Sequence, residues 1–213
     1  MNEATKKQAG QMGSYAPFYD LIMTLLTFGR EASLRRRTVE LAQLEPGHKV
    51  LEIGCGTGSL TLAAKERVGA SGEVVGMDIA PEMVAAATRK EARRGAGVTF
   101  RVGSIAEIPF PDDHFDVLMF SFMIYHMPEE VRLKGLAESY RVLEPGGHVF
   151  ILDAILSEKA RRRRSALMMH DVRELAPVLE RLGFTEIEMQ DSGFAFMGTR
   201  FWSLRAKAAK AGV

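Results

Sequence analysis

Val50–Gly58 reads VLEIGCGTG: a buried-strand pattern (Val50, Leu51, Ile53) carrying one acid, Glu52, that breaks into glycines at positions 54, 56 and 58. A helical segment follows at once, Ser59 to Val68, with Leu60, Ala63, Ala64 and Val68 along one side. Strand, tight glycine turn and helix in that order leave bare backbone amides at a helix N-terminus, where partial positive charge gathers. The stretch therefore predicts a cofactor site.

Downstream, Glu73–Asp78 (EVVGMD) reads as a second strand, Pro81 opens a helix that runs to Arg94, and Val98–Val102 is a short strand. Phe115–Phe122 is a continuous apolar run, the pattern of a central parallel strand covered on both faces. Pro128 begins another helix, with Leu133, Leu136, Ala137, Tyr140 and Leu143 in period. The turn Glu144-Pro145-Gly146-Gly147 ends it, and His148–Asp153 is the next strand. Alternating strands and helices predict right-handed crossovers and an α/β, doubly wound, mostly parallel sheet.

The C-terminal region breaks this rhythm. A helix over Leu175–Leu182 precedes two strand-like runs, Phe184–Met189 and Phe194–Arg200, joined by Asp191-Ser192-Gly193. A connection that short cannot make a parallel crossover, so one of the pair runs antiparallel. Pro177 conflicts with a helix beginning at Asp171, which predicts a kink or a start nearer Leu175. Upstream of Val50, two helices are expected. The first runs from Tyr15 with Phe18, Tyr19, Ile22, Leu25 and Leu26 at helical spacing and stops at Gly29; the second spans Glu31–Leu44, with Arg35, Arg36 and Arg37 mostly on its polar side.

With 213 residues, 46% hydrophobic and 26% charged, the chain has material for one substantial core. A formal net charge of +1 gives no global case for nucleic acid or membrane. The single cysteine, Cys55, excludes an internal disulfide and a thiolate-rich zinc site and fits a reducing cytoplasm. No metal site is expected. The first residues, MNEATKKQAG, lack the apolar core of a signal peptide, and the longest apolar runs fall far short of a membrane span. The expected location is cytoplasmic.

Five stretches in order, YAPFYD (15–20), VLEIGCGTG (50–58), GMDIAPEMV (76–84), GSIAEIPFPDDHFD (103–116) and RVLEPGGHVFILD (141–153), give the chain a recognisable pattern. It resembles the class I S-adenosylmethionine-dependent methyltransferases, especially the small-molecule branch that includes the ubiquinone and menaquinone C-methyltransferases. The resemblance implies a Rossmann-like, seven-stranded sheet with an antiparallel C-terminal strand, which the terminal strand pair matches independently. It also implies a single domain over 1–213: residues 1–14 polar and mobile, 15–45 a helical cap, 46–203 the catalytic core. Dinucleotide sites favour G-x-G-x-x-G where this chain has G-x-G-x-G, so a nicotinamide oxidoreductase is the poorer reading. A cofactor-binding but inactive partner protein is the alternative from a different class.

By the same resemblance, Gly54, Gly56 and Gly58 contact the methionine part of S-adenosylmethionine through their backbone, with Cys55 in the turn serving by its backbone and packing its thiol. Glu52 lies beneath the cofactor's amino-acid end, and Asp78 accepts hydrogen bonds from the ribose hydroxyls. Ile79 and Met83 face adenine, although core packing explains them equally. Ser121 offers its carbonyl to the cofactor ammonium. Tyr19, on a helix that folds over the cofactor in this family, reaches the methionine carboxylate or packs in the core. Where many relatives carry an aspartate for the adenine amino group, this chain has Ser104, with Ile105 supplying an amide. A neutral acceptor is roughly half as strong as a charged one, so adenine is expected to be held more weakly.

Methyl transfer from an activated sulfonium asks mainly for alignment, and a base is needed only where the acceptor must lose a proton. His126 stands where the methyl emerges by resemblance, as a base or as a structural histidine; Tyr15, Tyr125 and His170 are weaker candidates. The partner is expected to be a small-molecule substrate, lipophilic in character: a quinone precursor or a phospholipid headgroup. Arg35–Arg37, Arg161–Arg164 and the tail residues Arg205, Lys207 and Lys210 are candidates for peripheral contact with an anionic membrane. Nucleic acid is a poorer partner, because no aromatic-basic interleaving is present. Arsenite methylation is disfavoured by the single cysteine. The oligomeric state is not legible.

Overall fold

The computed structural model describes residues 16–124, 127–155, 171–196 and 199–210. The expectations placed on residues 1–14, Tyr15, Tyr125, His126, Arg161–Arg164 and His170 lie outside them. Two helices come first, α1 (Tyr19–Leu26) and α2 (Glu31–Leu41). Phe28 and Gly29 both adopt positive φ, 51° and 74°, which no helix continues, so α1 stops before them. The second helix is shorter than its sequence pattern predicts. Gln43 turns to φ 52° and Leu44 is then buried outside the helix.

Next come β1 (Lys49–Ile53), α3 (Ser59–Val68), β2 (Glu73–Asp78), α4 (Pro81–Arg94) and β3 (Thr99–Val102). β1 pairs with β2 in parallel from Lys49↔Glu73 to Ile53↔Met77, and β2 pairs with β3 in parallel from Val75↔Thr99 to Asp78↔Val102. Pro81 sits in the first turn of α4, where its missing N–H costs nothing, and Gly95 ends that helix at φ 64°. These elements form a first compact unit that ends at Ser104.

The second unit begins at Ile105. It contains β4 (Phe115–Ser121), α5 (Glu129–Val142), β5 (Leu143–Ile155), a 3-10 turn (Val172–Leu175), α6 (Ala176–Arg181), β6 (Phe184–Phe196) and β7 (Thr199–Ala208). β4 and β5 are parallel, and β7 runs antiparallel to both β5 and β6. The strand order β3-β2-β1-β4-β5-β7-β6 is the expected seven-stranded, mostly parallel sheet with an antiparallel C-terminal strand. Arg141 anchors the connection before β4. Its guanidinium donates to the carbonyls of Ile108 and Phe110 and pairs with Asp112 and Glu138.

Two further local expectations change, and the one for Pro177 holds. The hairpin does not turn at Asp191-Ser192-Gly193: β6 continues through it to Phe196, and the pairing register shifts between Asp191 and Ala195. Gly193 takes φ 81° while Ser192 Oγ donates to Phe201 O, so the polar triplet makes a bulge within the strand. The Glu144–Gly147 turn likewise lies inside β5, which pairs with β4 at Leu143 and again from His148. Pro177 is accommodated in the first turn of α6, with a 3-10 turn preceding it.

Candidate functional site

Beyond Ile53 the chain passes through Gly54, Gly56 and Gly58 at φ 74°, 53° and 78°, a left-handed alternation that side chains resist. The turn is tied to the end of β2: Gly54 and Cys55 both donate to Met77 O, at 2.7 and 3.1 Å. Gly58 N–H closes it on Cys55 O at 2.8 Å. The glycines are not equivalent. A Cβ at Gly58 would stand 2.4 Å from Phe100 Cζ and 2.9 Å from Ala87 Cβ, so this glycine lets α3 approach the sheet and α4 closely. Among the described residues, a Cβ at Gly56 would meet Tyr19 Cε1 at 3.9 Å and nothing closer, so the space over this glycine is open.

Asp78 ends β2 beside this turn. Its Oδ2 accepts from Gly56 N–H at 2.9 Å and its Oδ1 from Ala80 N–H at 2.9 Å, while its carbonyl accepts from Gly103 N–H. Burial raises its pKa, and the amides of Ala80, Gly56 and Ile79 offset part of that rise. Glu52, 3% exposed in β1, accepts from Thr61 Oγ1 at 2.5 Å. Burial moves its pKa up to about 8, against the Thr61 hydrogen bond and with a further push from the Asp78 charge. Cys55 is buried, and burial together with Glu52 and Asp78 drives its thiol far above the ordinary range. The thiol is packed, not poised as a nucleophile.

Tyr19 brings α1 to the turn. Its ring packs on the buried cluster Ala16, Ala80 and Met83. Burial raises its phenol pKa, aided by the Asp78, Glu52 and Asp20 charges. The next residue, Asp20, accepts from Thr57 Oγ1 at 2.6 Å and pairs with Lys90 Nζ at 2.8 Å. Lys90 also donates to Ser59 Oγ at 2.5 Å and to Thr57 Oγ1 at 3.2 Å. Burial alone would raise the Asp20 pKa, but the Lys90 and Thr57 hydrogen bonds outweigh it and hold the carboxyl below its usual range.

Residues 50–147 match the family model described as a methyltransferase domain. The chain is 42% identical over 138 residues to a demethylmenaquinone methyltransferase of Thermus thermophilus, covering 65% of this chain and 61% of that protein. It is 36% identical over 155 residues to a ubiquinone/menaquinone biosynthesis C-methyltransferase of a Geobacter species, covering 72% of this chain and 65% of the relative. The chain thus spans less than two thirds of the length of these relatives. A SAM dependent methyltransferase from Aquifex aeolicus shares the fold, with TM-score 0.69, 24% identity and coverage of 82% of this chain and 89% of that one.

The glycine turn and Asp78 fit S-adenosylmethionine by their donors and acceptors. A bare glycine backbone suits close approach of a methionine moiety, and a buried carboxylate at the end of β2 suits vicinal hydroxyls. Within the first unit the fold gathers Tyr19, Glu52, Gly54, Cys55, Gly56, Gly58, Asp78 and Met83 around one turn. Met83 is buried against Tyr19's cluster, which is the core-packing alternative for that residue, and Ile79 is half-buried. Ser104 is half-buried at the end of the first unit. Ile105 and Ser121 belong to the second unit. There the Ile105 side chain is buried where Gly135 leaves room on α5, and Ser121 ends β4, paired with Leu152. Sequence reasoning missed Asp20, Thr57, Ser59 and Lys90. The one available signal was an acid directly after Tyr19 in YAPFYD, with nothing local to say what it meets.

Proposed function

We propose that this chain acts as one cytoplasmic methyltransferase domain that moves the methyl group of S-adenosylmethionine onto a small lipophilic acceptor, a quinone precursor. The observation that carries this reading is the open space over Gly56, with the Tyr19 ring beside it and its amide on the buried Asp78 carboxylate. The acceptor class is that of the similar demethylmenaquinone and ubiquinone/menaquinone methyltransferases. An inactive partner protein finds no support in those similarities.

The cofactor supplies a methyl group already activated on sulfonium, so alignment is the protein's main task. Gly54, Gly56 and Gly58 give the methionine half a backbone wall, and Glu52 lies beneath its amino-acid end. A carboxylate offers about four lone-pair positions, so Asp78 retains capacity for the ribose hydroxyls after binding the Gly56 and Ala80 amides. Ile79, Met83 and Ser104 are the residues of the first unit assigned to the adenine. Methylation of a ring carbon requires that a proton leave, and His126 is the proposed base.

The acceptor's lipophilicity is matched by α1 and the residues flanking it. Phe18, Leu21, Ile22, Leu25 and Phe28 are all exposed, Leu25 at 67% and Phe28 at 88%, and Arg30 and Arg36 are exposed nearby. This face is suited to peripheral contact with an anionic bilayer, where each basic residue contributes about 1 kcal/mol. Among the described residues no helix is long and apolar enough to cross a membrane.

The test is calorimetry with S-adenosylmethionine, followed by transfer assays on detergent-solubilised hydroquinones, simple phenols, amines and phosphatidylethanolamine. Cofactor binding with transfer to a hydroquinone ring carbon is the expected result. No binding overturns the cofactor reading, and binding without any transfer returns the inactive-partner reading. Cosedimentation with phosphatidylglycerol vesicles at low salt, lost at high salt, is the expected membrane result.

A further inference from the structure

We infer that Asp20 and Lys90 are positioning residues that latch α1, and Tyr19 with it, onto the glycine turn and so set how fast the cofactor leaves. The inference rests on the turn being the cofactor site, as proposed above.

Four polar groups from three separate stretches meet at one point. Asp20 comes from α1, Thr57 and Ser59 flank the third glycine, and Lys90 comes from α4. The N-cap of α3 is Gly58, which has no side chain to accept from the first amides, so the start of that helix lacks an acceptor of its own. Lys90 Nζ adds a full positive charge beside Ser59 and Thr57. A carboxylate is the group such a place favours, and Asp20 supplies it from a helix remote in sequence. Arg35 of α2 also acts favourably on Asp20 through its charge.

Among the described residues, few other contacts tie α1 down at this end. Its outer face is exposed, and among the described residues Ala16 and Tyr19 pack inward on Ala80 and Met83. Asp20 is adjacent to Tyr19, so the carboxylate that grips Thr57 fixes where the Tyr19 ring lies over Gly56. A cofactor seated on Gly56 is then held between the turn and the Tyr19 ring when the latch is made and released when it is broken. Neither Asp20 nor Lys90 needs to touch the cofactor for this. Their effect falls on entry and exit, and it is ionic, with side chains 47% and 27% exposed, so salt weakens it.

The experiment follows dissociation of S-adenosylhomocysteine by stopped flow in wild type, Asp20→Asn, Lys90→Met and the double variant. Amide hydrogen exchange over residues 19–26 of the ligand-free proteins is measured alongside. Each single variant is expected to release the ligand about tenfold faster, the scale of one partly desolvated charge-assisted hydrogen bond. The double variant is expected to be no faster than the singles, because both remove the same contact. Exchange in 19–26 rises in all three, and in wild type dissociation accelerates with salt while the variants do not respond. Unchanged dissociation, additive effects, or unchanged exchange overturns the latch. If wild type binds neither S-adenosylmethionine nor its product, the cofactor reading fails and the exchange data still decide the latch. Should Asp20→Asn unfold, Lys90→Met carries the test from the α4 side.

Discussion

The amide of Gly56 donates to Asp78 Oδ2 at 2.9 Å, joining the glycine turn to the end of β2 through one carboxylate. Asp78→Asn keeps the shape but presents an NH2 to either the Gly56 or the Ala80 amide, donor against donor. A stability loss of about 1–3 kcal/mol is expected from the unsatisfied buried pair. Cofactor affinity is expected to fall at least about tenfold with loss of the charged acceptor. Thermal melts and calorimetry measure both, and an unchanged affinity would remove Asp78 from the site.

Gly56 and Gly58 separate by the same substitution. Both sit at positive φ, so alanine costs each about 1–2 kcal/mol of backbone strain. At Gly58 the new methyl also meets Phe100 and Ala87, adding about 1–3 kcal/mol of overpacking. Gly58→Ala is therefore expected to lower the melting temperature well below that of Gly56→Ala, whereas Gly56→Ala chiefly loses cofactor affinity. Equal melting temperatures would contradict the packing role of Gly58.

Glu52 makes stability pH-dependent. Burial holds its folded pKa at about 8, so the folded protein keeps a proton that the unfolded chain releases in the ordinary carboxylate range. The stability from this group is complete below that range and is lost as pH rises towards 8. Glu52→Gln removes the titration while leaving a carbonyl for Thr61 Oγ1. Its melting temperature relative to wild type should climb by about 5 °C between pH 5 and pH 8. A pH-independent difference would show that the carboxyl is not held neutral.

Ser104 offers a gain instead of a loss. Replacing its neutral hydroxyl with a carboxylate should strengthen the hold on the adenine amino group, and about a fivefold tighter S-adenosylmethionine complex is expected from Ser104→Asp. An unchanged dissociation constant in calorimetry would sink the idea that this position faces adenine.

Much of this fold is legible in order along the chain because its signals are local. Ser59–Val68, Glu73–Asp78 and Pro81–Arg94 take the bounds their apolar periodicity, prolines and glycines prescribe. The ends of β5, β6 and β7 were not legible. Gly146 and Gly193 look like turn residues in isolation, yet pairing with a neighbouring strand absorbs both as irregularities within longer strands. Local propensity reads a glycine as a stop, and a sheet overrides it when enough ladder hydrogen bonds lie on either side.

For the site, VLEIGCGTG by itself determined a strand that ends, a tight turn in which three glycines permit a left-handed backbone, and a helix that begins at Ser59. Those are properties of bond rotation and of residues a few positions apart. Only tertiary structure decided that Gly58 is closed by Phe100 and Ala87 while Gly56 is left open. It also decided that the carboxylate at the turn's outer edge is Asp20, held by Lys90 across 70 residues of sequence. Packing and ion pairing act through space, and they choose partners that no spacing along the chain records.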